Sequence, residues 1–202
     1  MPGPKPPYVV PWKGETVLSP TVQISRFGVE YARPALDSAC RDRDQILWAV
    51  CGGEPDGGPA YARELHPERQ QEAMDGLLCA GCVGEPTRDS SGMLWVLPLL
   101  DFAGNTVWEG VRTVIPPLCQ GCADHAKAFC PRLREGYVEL RVGEAEPVGV
   151  MGTLHPRPGQ QGRPDHDALV LYDSPDMPFT IARQSVRELR RTTVVAVVPA
   201  PS

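Results

Sequence analysis

Two closely spaced cysteine pairs are the residues in this sequence whose types and spacing could do chemistry. They are Cys79 with Cys82 and Cys119 with Cys122, separated by an insert of residues 83–118. Zn²⁺ binds thiolates in a tetrahedron, and a Cys-x-x-Cys turn places two of them on one cation with little backbone strain. The spacing therefore predicts one zinc site, with one ion per chain, built from all four cysteines.

The predicted site is of the structural kind. Four thiolates leave no open position on the metal for water or substrate. In small zinc peptides such a site contributes about 10–16 kcal/mol, which is comparable to the whole stability of a domain, about 5–15 kcal/mol. Two alternatives remain open: one pair is redox-active, or both are simply buried. Only Cys119 and Cys122 have part of the strand-to-helix context of a thioredoxin-like motif.

Two other side chains could replace a thiol in this site. They are His125, three residues after Cys122 on the same helical face, and Cys130. Cys40 and Cys51 are expected to be small core residues. Because the chain has seven cysteines, an odd number with four in two tight pairs, metal binding is favoured over a disulfide framework.

Composition bounds the class of protein. With 42% hydrophobic and 22% charged residues, the chain of 202 residues resembles an ordinary globular protein. A net charge of −5 argues against a general nucleic-acid coat or a polybasic membrane binder. The sequence has neither the apolar start of a secretory signal nor a run approaching the roughly 18 apolar residues of a membrane span. We therefore expect a soluble, cytoplasmic protein with no membrane partner.

The sequence around the cysteines predicts a compact, β-rich α+β protein with the zinc module at its centre. The many prolines and glycines, 23 and 20, predict short elements and frequent turns. The chain divides into four segments: a Pro-rich tail (1–14), an N-terminal α+β part (15–78), the zinc module (79–135) and a β-rich C-terminal part (136–202) that forms one domain with the rest. Tyr8 and Trp12 should dock the tail on the domain or on a partner.

Within the zinc module we expect a knuckle, a β-hairpin and a helix. A helix over 67–78 leads the chain to Cys79, and Gly84 is expected to allow the turn after the first pair. The apolar run 93–97 and the segment 107–115 should pair as a hairpin. A second helix begins on the second cysteine pair and is limited by Pro131.

This order resembles a treble clef and the zinc frame of HNH-type nucleases. The likeness is carried by Pro117-Leu118-Cys119-Gln120-Gly121-Cys122 followed by a helix with His125 and Lys127, and it covers residues 79–135. The chain also resembles uncharacterised small actinobacterial proteins with a four-cysteine zinc frame that ends in Cys-Pro. The nuclease resemblance implies a catalytic histidine on the hairpin, next to a divalent metal, because water must be deprotonated beside a polarised phosphate.

The residues depart from the nuclease pattern at its catalytic position. Residues 83–118 include no histidine, and the candidates to replace it are Asp101, Asn105 and Glu109. A separate polar cluster, His155 with 165–167 (Asp-His-Asp), is expected in a solvated loop over 155–167. We therefore assign no catalytic residue and keep a degenerate HNH-like metal-dependent nuclease as the alternative function.

The C-terminal segment provides the candidate partner surface. Strands are predicted over 137–142, 148–154, 168–172 and 193–198. An amphipathic helix is predicted over 181–191, with one basic stripe made of Arg183, Arg187, Arg190 and Arg191.

Taken together, these features favour a non-enzymatic binding protein with a structural zinc that recognises a protein partner, or nucleic acid through the stripe. A structural component of a larger assembly is a further alternative. The sequence does not determine the oligomeric state.

Overall fold

A computed structural model describes residues 7–61, 64–102 and 104–200 of the chain. The four α-helices in this part are α1 (Pro34–Ala39), α2 (Pro67–Asp75), α3 (Gln120–Phe129) and α4 (Pro131–Arg134). The eleven strands in this part are β1 (Glu15–Val17), β2 (Val22–Ser25), β3 (Gly28–Tyr31), β4 (Leu47–Trp48), β5 (Cys51–Gly53), β6 (Arg88–Asp89), β7 (Gly92–Pro98), β8 (Val111–Thr113), β9 (Gly136–Leu154), β10 (Asp165–Leu171) and β11 (Thr180–Pro199). The predicted β-rich α+β class is confirmed.

A long antiparallel pair, β9 with β11, forms the spine of a seven-stranded sheet. Its strand order is β4-β11-β9-β7-β6, with β10 added beside β9 and β8 beside β11. The first part of β9 pairs with β7, and its last part pairs with β10. Three register shifts interrupt the ladder between β9 and β11. Because such irregularities bend strands, two strands of 19 and 20 residues can serve different neighbours at their two ends.

Strand β7 connects the zinc module to the main core, because both of its faces are buried. Leu94 and Val96 pack with Leu118 and Ala123 on the side of the cysteines. Trp95 packs on the other side, in a cluster with the alternate residues of β9. A strand buried on both faces reads as a continuous apolar run, as 93–97 does.

The N-terminal segment docks on the zinc module. The backbone N–H groups of Tyr8 and Val9 donate to the carbonyls of Gly81 and Ala80, each at 3.1 Å. Val9 is 3% exposed, and the Tyr8 hydroxyl donates to Glu72 on α2. Residues 1–6 of the predicted tail lie outside the described residues.

The predicted helix over 181–191 is wrong, because this segment is the first half of β11. Its pairing with β9 continues from Thr180 to Pro199, and residues 184–187 are buried on both faces. Helix α2 packs against this part of β11: the Gln70 amide lies against Ser185, with both backbone groups of Ser185 bonded to it. Burial on both faces removes the alternation that marks a strand, so the local pattern matched a helix instead.

The predicted hairpin between 93–97 and 107–115 is also wrong. Strand β7 pairs with β6 and β9, whereas β8 pairs with β11. The short hairpin that does form turns at Ser90 and Ser91, between β6 and β7.

Three smaller differences concern the extent of strands. The two strands predicted over 137–142 and 148–154 are one continuous strand, β9. The apolar run 45–51 also predicts a single strand, but it is divided between β4 and the start of β5. Residues 165–167, expected in a loop, begin β10.

The main sheet takes strands from three of the four predicted segments, and the segment boundaries themselves stay a prediction. Among the helices of the described residues, none has the length and apolar character that crossing a membrane requires.

Candidate metal centre

The four cysteines that the sequence predicts as zinc ligands lie close together in the structure. Their sulfur atoms all lie within 4.8 Å of one another, with 3.9 Å between the sulfurs of Cys82 and Cys119. Within 7–61, 64–102 and 104–200, no other group of three or more His, Cys, Asp or Glu brings ligand atoms this close. Four sulfurs around one point can hold a metal ion, and a set made only of sulfur is typical of zinc or iron–sulfur sites.

The first pair is held in a tight turn that follows α2. The N–H of Cys79 donates to the carbonyl of Gly84 at 2.8 Å, and the N–H of Val83 donates back to the carbonyl of Cys79 at 2.9 Å. The left-handed residue of this turn is Val83, with φ of 63°, although the sequence predicts Gly84 as the residue that allows the turn. A β-branched residue in this conformation is strained, so the surrounding contacts must hold it there.

The second pair lies at the start of α3. Cys119 is the N-cap residue, and Cys122 lies in the first turn. The hydroxyl of Thr87 accepts a bond from the N–H of Gln120 at 2.7 Å, which satisfies one of the free N–H groups at the helix start. Helix N-termini favour negative charge, so this position supports a thiolate.

Backbone hydrogen bonds join the two pairs to each other and to the sheet. The N–H of Ala80 donates to the carbonyl of Pro117 at 2.9 Å, and the N–H of Leu118 donates to the carbonyl of Leu94 in β7 at 3.0 Å. The segment before the second pair is thereby bonded to β7, which is buried on both faces, and the first pair is bonded to that same segment.

Gly81 allows the close approach of the second pair. A Cβ atom added at Gly81 would lie 2.6 Å from the sulfur of Cys122 and 2.8 Å from its Cβ. Both pairs read Cys-x-Gly-Cys, but a Cβ at Gly121 would have no neighbour within 4 Å. The repeated glycine was the sequence signal for this contact, although it could not show which of the two glycines is needed.

The four thiols lie close together, but their surroundings shift the pKa values of Cys79, Cys119 and Cys122 in different directions. Burial raises the pKa of Cys79, although the N–H groups of Cys119 and Gly81 donate to its sulfur at 3.2 and 3.4 Å. Burial also opposes ionisation of Cys119, but the N–H of Cys122 and the neighbouring thiols donate to its sulfur, so that its pKa is lowered overall. Burial and the adjacent thiols raise the pKa of Cys122. Only a cation would let all four ionise together.

The two substitute ligands and the two remaining cysteines lie outside the cluster. The His125 ring packs on Phe129 at 4.6 Å between centroids. Cys130 caps α4 and packs against the apolar cluster beneath α3. Cys40 and Cys51 are half-buried, and burial raises the pKa of Cys51 to about 11.

The candidates for a nuclease centre have other contacts. Asp101 pairs with Arg132, and the Glu109 carboxylate accepts the N–H groups of Arg191 and Thr192 at 2.8 Å each. The backbone N–H of Asn105 closes a turn onto Phe102.

The second polar cluster forms no metal site within the described residues. His155 is buried, its Nε2 has no partner among the described residues, and burial together with His166 lowers its pKa. Asp165 and Asp167 lie exposed at the start of β10, where Asp167 pairs with Arg183.

The four arginines of the predicted stripe contact groups within the molecule. Arg187 is 8% exposed and donates to three backbone carbonyls, including those of Met74 and Asp75 at the end of α2. The other three pair with carboxylates: Arg183 with Glu64 and Asp167, Arg190 with Glu146 and Glu188, and Arg191 with Glu144. The helical stripe that the sequence predicted is therefore not formed, and their role toward a partner stays a prediction.

Comparisons with protein-family models, with curated proteins and with solved structures found no match. The four-cysteine cluster is consequently the feature on which a functional assignment rests.

Proposed function

We propose that Cys79, Cys82, Cys119 and Cys122 bind one structural zinc ion, and that the chain acts by binding rather than by catalysis. The observation that carries the proposal is the convergence of four sulfurs within 4.8 Å. Such a set fills the coordination sphere of zinc, so the ion would cross-link the turn after α2 to the start of α3.

The surroundings of the site support a treble-clef-like module. A turn with the first cysteine pair precedes the β6–β7 hairpin, and α3 begins on the second pair. This is the order of knuckle, hairpin and helix that the resemblance implies, with a shorter hairpin than the one predicted.

A protein partner is favoured over nucleic acid. Nucleic-acid binding at low specificity depends on basic side chains that are free to neutralise phosphates. The net charge is −5, and the four arginines of the predicted stripe are engaged within the molecule. A nuclease centre is not favoured, because the described residues contain no second group of three or more His, Cys, Asp or Glu close enough to hold a catalytic metal.

Native mass spectrometry of the untagged protein tests the metal assignment. We expect one zinc ion per chain and no visible absorbance of an iron–sulfur cluster. The Cys82→Ser variant should lose the ion and lower Tm by at least about 10 °C, since about 2–4 °C corresponds to each kcal/mol at this length. Cys130→Ser is the matched control and should keep the zinc. A metal-free Cys82→Ser protein with an unchanged Tm would overturn the proposal.

Fluorescence anisotropy with labelled duplex DNA tests the choice of partner class. We expect no binding at low salt. Binding that falls steeply with salt and disappears in an Arg183→Glu/Arg190→Glu variant would restore nucleic acid as the partner.

A further inference from the structure

The outer edge of β11 changes character along the strand. Near its start it is covered by β4, which pairs with Ile181 and Ala182, and further on by β8, which pairs with 187–189. The Glu109 side chain then accepts the N–H groups of Arg191 and Thr192. From Thr193 to Pro199 the only partner strand among the described residues is β9, on the inner side. The outward backbone groups of 193–199 are thus left unpaired within the described chain.

This open stretch has few of the features that normally protect a sheet edge. Its sequence is Thr-Val-Val-Ala-Val-Val-Pro, with no charged residue and no proline before position 199. All four of its valines are exposed: Val194, Val195, Val197 and Val198, at 45, 51, 53 and 37%. Soluble proteins usually place lysine, proline or a covering segment on such an edge, because unpaired β-branched strands pair with other chains. One protective feature is present, a bulge at Val195 in the ladder with β9.

The sequence of the edge matches itself in the antiparallel direction. The five residues 194–198 are Val-Val-Ala-Val-Val, which is symmetric about Ala196. Two copies related by a two-fold axis at Ala196 would place Val194 opposite Val198 and Val195 opposite Val197. Valine pairs across antiparallel strands are favourable, and no like charges would face each other.

We propose that this protein self-associates into a two-fold dimer by antiparallel pairing of 193–199, so that the sheets of two copies become continuous. The occupant of the edge is a second copy of this chain rather than an unrelated strand, because the symmetric valine pattern fits itself. The interface does not involve the cysteines, so the proposal stands apart from the zinc assignment.

The expected dimer is weak. One pair of seven-residue strands buries less than the roughly 1,200 Å² of a stable specific interface, and the bulge further reduces the regular pairing. We therefore expect a reversible equilibrium with a dissociation constant of about 1–100 μM, the range of transient association.

Sedimentation-velocity ultracentrifugation of the zinc-loaded protein, from about 1 to about 500 μM, tests the proposal. We expect the sedimentation coefficient to rise with concentration from that of a monomer to that of a dimer. A Val195→Lys/Val197→Lys variant places two charges on the edge and should remain monomeric throughout, with far-UV circular dichroism and Tm like those of the unchanged protein. Val107→Lys, at an exposed valine in the loop before β8, is the matched control and should dimerise normally.

Hydrogen exchange locates the contact independently of the variants. Amides within 193–199 should gain protection as concentration rises, whereas the exposed edge residues of β10 should not. Two results would overturn the proposal: a monomer at every concentration, which would leave the edge to another partner, or a dimer that persists in the double-lysine variant.

Discussion

At the scale of single residues, the metal centre depends on a position that is not itself a ligand. Gly81 has no side chain, and that absence leaves room for the sulfur of Cys122. Its backbone also serves the site twice: the N–H donates to the Cys79 sulfur and the carbonyl accepts the N–H of Tyr8. One residue therefore links the first cysteine pair, the second pair and the N-terminal segment.

The substitution Gly81→Ala tests this dependence. Its methyl group would meet the Cys122 sulfur at 2.6 Å, so one of the two pairs must move and the four sulfurs can no longer surround one ion closely. We expect at least about a tenfold loss of zinc affinity, measured by competition with a chromophoric chelator, because displaced groups around a metal typically cost about 10–100-fold.

Gly121→Ala is the control for the same chemical change. A Cβ at Gly121 has open space around it and the residue lies in α3. Alanine is the better helix former by about 1 kcal/mol, so zinc affinity should be unchanged and Tm should rise slightly. Equal affinities in Gly81→Ala and Gly121→Ala would contradict the packing argument.

At the scale of elements, helix α2 is joined to the sheet by the hydrogen bonds of one buried amide side chain, that of Gln70. The Gln70 amide is fully buried, and its nitrogen donates to the carbonyls of Val114 and Ser185 at 2.6 and 2.9 Å. Its oxygen accepts the N–H of Ser185 at 2.9 Å. These bonds satisfy backbone groups that would otherwise be unpaired where the helix crosses β11.

Gln70→Leu should therefore destabilise the protein although it places an apolar residue in a buried position. It keeps a similar volume but leaves up to three backbone groups without partners, each costing about 1–3 kcal/mol. We expect a loss of about 3 kcal/mol, measured by urea unfolding of the zinc-loaded protein.

Gln71→Leu, at the neighbouring and less buried position, is the control and should cost less than about 1 kcal/mol. A loss for Gln70→Leu no larger than this would show that the buried amide is dispensable.

The helices and strands also show which parts of the fold could be predicted from the sequence. The cysteine pairs could be predicted because ligand spacing is local. Helix α2 could be predicted from its local apolar periodicity, and β7 from its continuous apolar run. The strand over 181–191 could not be predicted in this way, because its partner β9 and the helix α2 that packs on it are distant in the sequence. The partner of β7 was missed for the same reason: 107–115 is near in sequence, yet β9 is the strand that buries Trp95 and Leu97.

At the scale of the whole molecule, two buried histidines couple stability to pH. His66 caps α2, whereas His155 directly follows the last residue of β9, where its N–H donates to the carbonyl of Phe179 at 2.9 Å. Burial is the main cause that lowers the pKa of each, assisted by Arg69 for His66 and by His166 for His155. Both side chains therefore take up a proton at a lower pH in the folded protein than in the unfolded chain.

The sign of the pH effect follows from the unfolded chain, in which a histidine binds its proton near pH 6.5. Below that pH the unfolded state holds more protons than the folded state, so the free energy of unfolding falls as the pH falls. The stabilisation is fully present above about pH 6.5 and is lost progressively toward the lowered folded-state pKa values.

We expect the variant His66→Asn/His155→Leu to flatten this dependence. Asparagine preserves an N-cap acceptor for α2, and leucine removes a buried nitrogen that has no partner among the described residues. Urea midpoints measured between about pH 7.5 and 5.5 should decline for the unchanged protein and stay nearly level for the variant. Zinc content must be followed at each pH, because protonation of the thiolates also releases the metal. A decline of equal steepness in both proteins, accompanied by zinc loss, would move the acid sensitivity from the histidines to the cysteine cluster.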